Sequence, residues 1–160
     1  CRLLLVPCHV ERAPDVLKLL KAQELPWYQR STRDIVPENL AIHLADTTGE
    51  LAHLSQIADL AFIGKSLAPN EGGQTPIEAA GLGVPVLMGS KMNNFKDVAK
   101  SLIRAGAAMT VDHADELRTE VLKLAKDQSS RINMQQAGLE WHKRNSGSSQ
   151  RIAEQIMKSL

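Results

Sequence analysis

Three polar segments of the chain carry residue types that could hold a phosphate group and the hydroxyls of a sugar. They are Pro7-Cys8-His9-Val10-Glu11-Arg12, Asp46-Thr47-Thr48-Gly49-Glu50, and the stretch from Gly64 to Glu78. Glycine lets the backbone approach a ligand closely, while hydroxyl, carboxylate and cationic side chains pair with phosphate and sugar oxygens. We therefore expect a binding site where these segments meet.

The third segment is the most informative, because it places small residues directly before a predicted helix start, in Glu71-Gly72-Gly73-Gln74-Thr75-Pro76-Ile77-Glu78. The free N–H groups and positive dipole end of a helix start attract phosphate, and Thr75 could supply a capping oxygen or a ligand contact. Glu78 could accept hydrogen bonds from both hydroxyls of a ribose. The same carboxylate would stabilise the helix start without a ligand, so the spacing leaves both interpretations open.

The second segment repeats this arrangement. Thr47 or Thr48 is predicted to cap a helix, Gly49 to bring the backbone close, and Glu50 to lie in the first turn. By itself the pattern is that of a capped helix with an acidic first turn. Beside the third segment, it predicts two helix starts that converge on one ligand.

The first segment is open to two interpretations. His9, Glu11 and Arg12 could bind an anion, or they could form a solvated polar loop. Pro7 and Cys8 are expected to position the backbone. No His/Asp partner pattern accompanies Cys8, so we expect a small packing residue there and not a nucleophile.

The elements that must position these segments follow from hydrophobic spacing. Short apolar runs predict strands at 2–6, 27–30, 40–44, 60–63, 85–88 and 107–111, and helical spacing separates most of them. From residue 115 onward the chain is predicted to be helical. This alternation indicates an α/β fold with a doubly wound parallel sheet, in which ligands bind beyond the carboxyl ends of the strands.

Composition excludes several classes of protein. The 160 residues carry a net charge of +1 and 3% aromatic residues, which argues against a nucleic-acid partner, and the length predicts one domain over residues 1–160. No apolar run could span a bilayer, so we expect a soluble chain. The histidines lack metal-ligand spacing, and neither the dinucleotide nor the P-loop glycine pattern occurs, so neither a metal nor a cofactor is predicted. Because Cys1 directly precedes a predicted strand, we expect an upstream region in the full protein.

The order and spacing of the three segments resemble those of bacterial Kdo (3-deoxy-D-manno-octulosonic acid) transferases, which join Kdo from CMP-Kdo to a lipid A precursor during lipopolysaccharide synthesis. That family typically reads P-R-H-P-E-R, then D-T-x-G-E-L, then G-S-L followed by G-G-H-N-P-L-E-P. The matching stretches here are Pro7 to Arg12, Asp46 to Leu51, Gly64 to Leu67 and Gly72 to Ala79, with further similarity at Pro85 to Gly89 and Asn94-Phe95.

The resemblance implies a GT-B glycosyltransferase with two Rossmann-like domains, of which this chain would be the C-terminal, donor-binding one with extra C-terminal helices. It implies an absent N-terminal domain that holds the lipid acceptor, the membrane contact and the glutamate base, at the cytoplasmic face of the bacterial inner membrane. The chain alone would then bind without catalysing an inverting displacement. CMP contacts carried over by position are Pro7, Cys8, Thr48, Gly49, Glu50, Thr75, Pro76, Ile77 and Glu78, with further support from His9, Arg12, Gly72, Gly73 and Gln74.

Three departures from the family pattern matter for donor binding. Cys8 stands where the family has Arg, and Gln74 and Thr75 replace His and Asn. Loss of an Arg removes a charge-assisted contact worth roughly 1.5 to 3 kcal/mol, so either another cation compensates or the donor binds less tightly. The cations considered are Arg12, Lys65 and Lys91.

Two alternatives stay open from the residues. A GT-B domain with a UDP-sugar donor would use a similar glycine-rich loop and a helix-borne glutamate. A non-catalytic nucleotide-binding or regulatory module would keep the fold and lose the donor site through the three departures. Preference for a uridine over a cytidine nucleotide would distinguish the first alternative from a CMP-Kdo donor. Absence of nucleotide binding would indicate the second alternative.

Overall fold

The computed structural model describes residues 2–7, 9–32, 34–147 and 156–157. The chain divides into two compact units, unit 1 (Cys1–Leu54) and unit 2 (Ser55–Leu160). Each unit contains a three-stranded parallel sheet with helices, which confirms the α/β class. A single domain over residues 1–160 stays a prediction.

Unit 1 is built on strands β1 (Leu3–Leu5), β2 (Trp27–Gln29) and β3 (Ile42–Leu44), in the order β1-β3-β2. All pairings are parallel, and Leu5 and Gln29 both lie opposite Leu44. The carboxyl ends of the three strands therefore lie side by side. The side chains of Leu20, Ile42 and Leu44 form a small hydrophobic core in this unit.

Two helices complete the described part of unit 1. A 3-10 turn (Val10–Arg12) leads into α1 (Ala13–Lys21), where Pro14 occupies the first turn, a position at which its missing N–H costs no helical hydrogen bond. Leu20 is the most deeply buried leucine of α1, whereas Leu19 is 69% exposed. Helix α2 (Leu51–Ser55) is short, so Ile57 lies beyond its end and is 76% exposed.

Unit 2 contains strands β4 (Ala61–Ile63), β5 (Val86–Gly89) and β6 (Ala108–Val111), paired in that order. Val86, Leu87 and Met88 of the central strand are completely buried. A continuous apolar run of this kind is typical of a parallel strand covered on both faces. The predicted strand at 85–88 is thus confirmed, shifted by one residue.

Helices α3 (Ile77–Gly81), α4 (Lys96–Ala105), α5 (Ala114–Lys126) and α6 (Gln128–Asn145) surround this sheet. Gly106 ends α4 in the left-handed conformation, with φ 79°. Ala99 and Leu102 are buried on α4, whereas Ile103 is 39% exposed, because it follows Leu102 by 100° around the helix and turns toward solvent.

The predicted C-terminal helices are present as α5 and α6. Asp127 joins them, and its carboxylate accepts hydrogen bonds from the Ser130 backbone and hydroxyl and from Ser129, which lowers its pKa to about 2. Helix α6 packs against α3 and α4, where the buried Trp141 donates Nε1–H to Ser101 Oγ at 2.7 Å. The helix predicted after 147 lies mostly outside the described residues. Among the helices that the structure describes, none has the length and apolarity required to span a bilayer.

Candidate functional site

Unit 1 contains a cavity of about 460 Å³ lined by Tyr28, Arg30, Ser31, Thr47 and Glu50. These residues lie in β2, in the 3-10 turn that directly follows it (Arg30–Thr32), and in the segment after β3. Since β2 and β3 are neighbours in parallel, both segments begin at the same edge of the sheet. This is the edge at which open parallel sheets bind ligands.

An ion pair forms part of the cavity wall. Arg30 Nε donates to Glu50 Oε2 at 2.7 Å, and Arg30 Nη2 donates to Glu50 Oε1 at 2.5 Å. The Thr47 hydroxyl donates to the same Oε2. The guanidinium and the carboxylate therefore meet in a bidentate fork, which fixes both groups more tightly than a single contact would.

The ion pair keeps both partners charged. Hydrogen bonds from Arg30 and then from Thr47 lower the pKa of the Glu50 carboxyl to about 2. The hydrogen bond and charge of Glu50 raise the pKa of Arg30 further above its ordinary value. At neutral pH the cavity consequently presents a permanent carboxylate beside a permanent guanidinium.

Asp46 holds the turn that carries Arg30. Its carboxylate accepts hydrogen bonds from Gln29 Nε2 at 2.7 Å, from the Ser31 amide at 3.0 Å and from the Ser31 hydroxyl at 2.6 Å. Partial burial opposes ionisation of Asp46, but the hydrogen bonds from Ser31 and Gln29 outweigh it and lower the pKa. The residues on both sides of Arg30 are thus tied to the segment after β3.

Glu50 lies at a different point of its helix from the one predicted. Helix α2 begins at Leu51, and the Leu54 amide donates to the Glu50 carbonyl at 2.9 Å. Glu50 is therefore the capping residue rather than a residue of the first turn. Thr48 and Gly49 lie exposed just before it, with Gly49 at φ 82°, and among the described residues no α2 amide bonds to either threonine side chain.

In unit 2, Gly72 and Gly73 of the third segment donate backbone hydrogen bonds to residues of neighbouring loops. The Gly72 amide donates to the Lys91 carbonyl at 3.0 Å, the Gly73 amide to the Lys65 carbonyl at 2.9 Å, and the Gln74 amide to the Gly64 carbonyl at 3.2 Å. A Cβ on Gly73, at φ 68°, would approach Met92 Sδ to 2.3 Å. These three amides are paired within the protein, and they precede the helix start at which the free N–H groups are predicted.

The start of α3 carries the remaining predicted contacts. Pro76 is buried directly before the helix, and Thr75 Oγ1 accepts a long hydrogen bond from the Ile77 amide at 3.4 Å. Ile77 and Glu78 are exposed, and Glu78 lies in the first turn as predicted. The structure therefore leaves the Glu78 carboxylate accessible.

The first segment contributes little to the described geometry. Pro7 is half-buried, Cys8 lies outside the described residues, and His9 and Arg12 are exposed, with His9 Nδ1 at 3.9 Å from Glu11 Oε1. None of Arg12, Lys65 and Lys91, the cations considered as substitutes for the family Arg, lines the unit 1 cavity.

Sequence reasoning missed Tyr28, Arg30 and Ser31. A signal was available, because the strand predicted at 27–30 ends at Arg30 and parallel strands present ligand contacts at their carboxyl ends. Apolar spacing alone does not say which strand β2 pairs with. The pairing of β2 with β3 is what brings Arg30 to Glu50.

His43 lies next to the cavity residues but shows no metal-site character. Its ring meets Tyr28 edge-on at 5.2 Å between ring centres, and burial, then the charge of Arg30, lower its pKa. The lowered pKa favours the neutral imidazole, and its buried Nε2 has no hydrogen-bond partner among the described residues. Among the residues that the structure describes, no three His, Cys, Asp or Glu side chains lie close enough together to hold a metal ion.

Comparison with known proteins identifies relatives along nearly the whole chain. It is 35% identical over 159 residues to a 3-deoxy-D-manno-octulosonic acid transferase of Haemophilus influenzae and 33% identical over 155 residues to that of Bordetella pertussis. These matches cover 99% and 96% of this chain, which spans only 37% and 36% of the two relatives. No protein-family model matches the chain.

Solved structures share the fold. The C-terminal CMP-Kdo binding domain of WaaA from Acinetobacter baumannii superposes with a TM-score of 0.80 at 24% identity, covering 86% of this chain and 72% of that one. WaaG, a glycosyltransferase involved in lipopolysaccharide biosynthesis, gives 0.54 at 18% identity over 91% of this chain and 43% of its own. The chain is therefore an α/β protein with parallel sheets whose structural neighbours are GT-B glycosyltransferases.

Proposed function

We propose that this chain, a homologue of the 3-deoxy-D-manno-octulosonic acid transferases along nearly its whole length, binds the CMP-linked sugar donor of such an enzyme. The observation that carries the proposal is this homology, which extends through all three polar segments. The unit 1 cavity supports it, because Glu50, a residue expected to contact the nucleotide, forms part of its wall.

The proposed contacts are carried over from the three polar segments of the sequence. They are Pro7, Cys8, Thr48, Gly49, Glu50, Thr75, Pro76, Ile77 and Glu78. Ionised Glu50 and exposed Glu78 are suited to accept hydrogen bonds from cytidine and ribose groups. His9, Arg12, Gly72, Gly73 and Gln74 would support these contacts, the last three by shaping the loop through their paired amides.

The proposed reaction is an inverting displacement. A base from a further domain would take the proton of an acceptor hydroxyl, which attacks the anomeric carbon of Kdo while CMP leaves. This chain would hold the CMP leaving group and orient it for that attack. In the full-length protein the acceptor would be a lipid A precursor, reached at the cytoplasmic face of the bacterial inner membrane through the further domain, so the chain alone would bind its donor without catalysis.

A nucleotide titration followed by amide NMR tests the proposal. CMP is expected to shift amides around Gly49 and around Thr75 to Glu78, whereas UMP and AMP at the same concentration shift them less. Glu78→Ala should abolish the CMP response, while Glu140→Ala, at an exposed acid on α6, should leave it intact. A stronger response to UMP would replace the donor with a UDP-linked sugar, and no response at millimolar nucleotide would favour a non-catalytic module.

A further inference from the structure

Arg30 is the cation among the described residues that line the unit 1 cavity, and nothing in the sequence pattern assigned it a role. Of those described lining residues, the charged ones are Arg30 and Glu50. A guanidinium has five N–H donors, of which Nε–H and one on Nη2 bind the Glu50 carboxylate. Any ligand that uses Glu50 thus meets a carboxylate whose orientation Arg30 already sets.

We propose that Arg30 is a positioning residue for nucleoside recognition: its bidentate grip on Glu50 holds that carboxylate, at the cavity wall, in the orientation that a nucleoside requires. The inference rests on the proposed function and adds to it a residue that acts through Glu50. Without Arg30, the Glu50 carboxylate would keep the hydrogen bond from Thr47 at Oε2. It would lose the hydrogen bonds that Arg30 donates to Oε1 and Oε2. Its side chain would then sample several rotamers, and binding would have to select one of them.

The exposure of the pair indicates that its effect is on binding more than on folding. The Arg30 and Glu50 side chains are 37% and 33% exposed. Ion pairs with that much access to water contribute little to stability, because solvent screens them. Asp46 accepts hydrogen bonds from the Ser31 amide and hydroxyl, which anchors the turn that carries Arg30.

The test is a double-mutant cycle in the 160-residue chain, with cytidine and CMP as separate ligands and amide NMR as the readout. Arg30→Gln is expected to weaken both ligands by about the same factor, roughly tenfold for a lost charge-assisted contact. In a Glu50→Gln background, the same change at Arg30 should have no further effect. Arg144→Gln, at an exposed arginine of α6 that is paired with Glu140, is the matched control and should leave both affinities unchanged.

Other outcomes overturn the inference in distinguishable ways. Undiminished binding by Arg30→Gln, or a loss that adds to that of Glu50→Gln, removes the positioning role while leaving the proposed function intact. A loss for CMP that far exceeds the loss for cytidine would mean that Arg30 contacts the phosphate directly. Absence of nucleotide binding by the unmodified chain would overturn the proposed function itself.

Arg30→Lys keeps the inference testable if Arg30→Gln does not fold. Lysine retains the charge but cannot form the planar fork. We expect it to fold and to bind both ligands more weakly than the unmodified chain. Full affinity in Arg30→Lys would show that charge alone suffices and that orientation by the fork is not needed.

Discussion

At the scale of single residues, the site depends on how one carboxylate is held. Glu50 caps α2, receives a hydrogen bond from Thr47 and shares two with Arg30. A carboxylate held by three donors is a fixed acceptor, which suits recognition of hydroxyl and amino groups on a nucleoside. The same residue therefore caps the start of α2 and lines the unit 1 cavity.

The titration of Glu50 reports this arrangement directly. Because hydrogen bonds from Arg30 and Thr47 hold its pKa at about 2, the side-chain carboxyl ¹³C shift should stay constant from pH 7 to about pH 4. In Arg30→Gln the pKa should rise toward the unperturbed 4.5, with Thr47 and the charge of His53 keeping it somewhat lower. In wild type, the contribution of this pair to stability should be present above pH 4.5 and be lost as the pH falls toward 2.

A matched variant separates this effect from a change in net charge. Arg144→Gln removes the same charge from an exposed pair on α6 and should leave the Glu50 titration as in wild type. An unchanged titration in Arg30→Gln would contradict the ion pair described here. Tyr28, His43, Asp46 and His53 are other titratable groups among the described residues that interact electrostatically with this pair or beside it.

At the scale of elements, the loop after β4 is shaped by close packing on the end of β5. The Ser66 hydroxyl donates to the Ile63 carbonyl at 2.5 Å and accepts from the Gly89 amide at 2.7 Å, while the Lys91 amide donates to the Ser66 carbonyl at 2.9 Å. Ser66 is completely buried. The loop that carries the third polar segment is thus tied to the sheet at its beginning.

Gly89→Ala tests this packing. A Cβ at position 89 would lie 2.0 Å from the Ser66 carbonyl oxygen, a backbone atom that cannot move aside without shifting the loop. We expect a loss of about 1–3 kcal/mol in the free energy of unfolding, the usual cost of overpacking, measured by urea denaturation. Gly64→Ala is the control, because a Cβ there meets nothing within 4 Å and its cost should stay below about 1 kcal/mol. Equal stabilities for the two variants would contradict the close packing.

At the scale of the whole molecule, the chain comprises two compact units. It spans little more than a third of the length of the Haemophilus influenzae and Bordetella pertussis relatives. The larger core lies in unit 2, where residues of all three strands and of α3, α4 and α6 pack together. Helix α6 is thus an integral part of unit 2, since it contributes Trp141 to the cluster.

Trp141→Ala tests that integration. The change removes an 8%-exposed aromatic side chain and its hydrogen bond to Ser101, so the free energy of unfolding should fall by about 3–5 kcal/mol. Ile132→Ala, on the same helix at a 42%-exposed position, should cost much less. Amide hydrogen exchange in α3 and α6 should accelerate in Trp141→Ala only. If Ile132→Ala lowered the free energy of unfolding as much as Trp141→Ala does, the packing of α6 through Trp141 would be contradicted.

The sequence by itself determined the alternation of strands and helices and the three polar segments, since apolar spacing, glycine and proline act over a few neighbouring residues. It also carried the family resemblance. Only the tertiary structure decided that Arg30 reaches Glu50, twenty positions along the chain, and that the Gly72 and Gly73 amides bond within the protein. Those contacts depend on which strands pair and how loops pack, and local residue pattern does not encode strand order or loop packing.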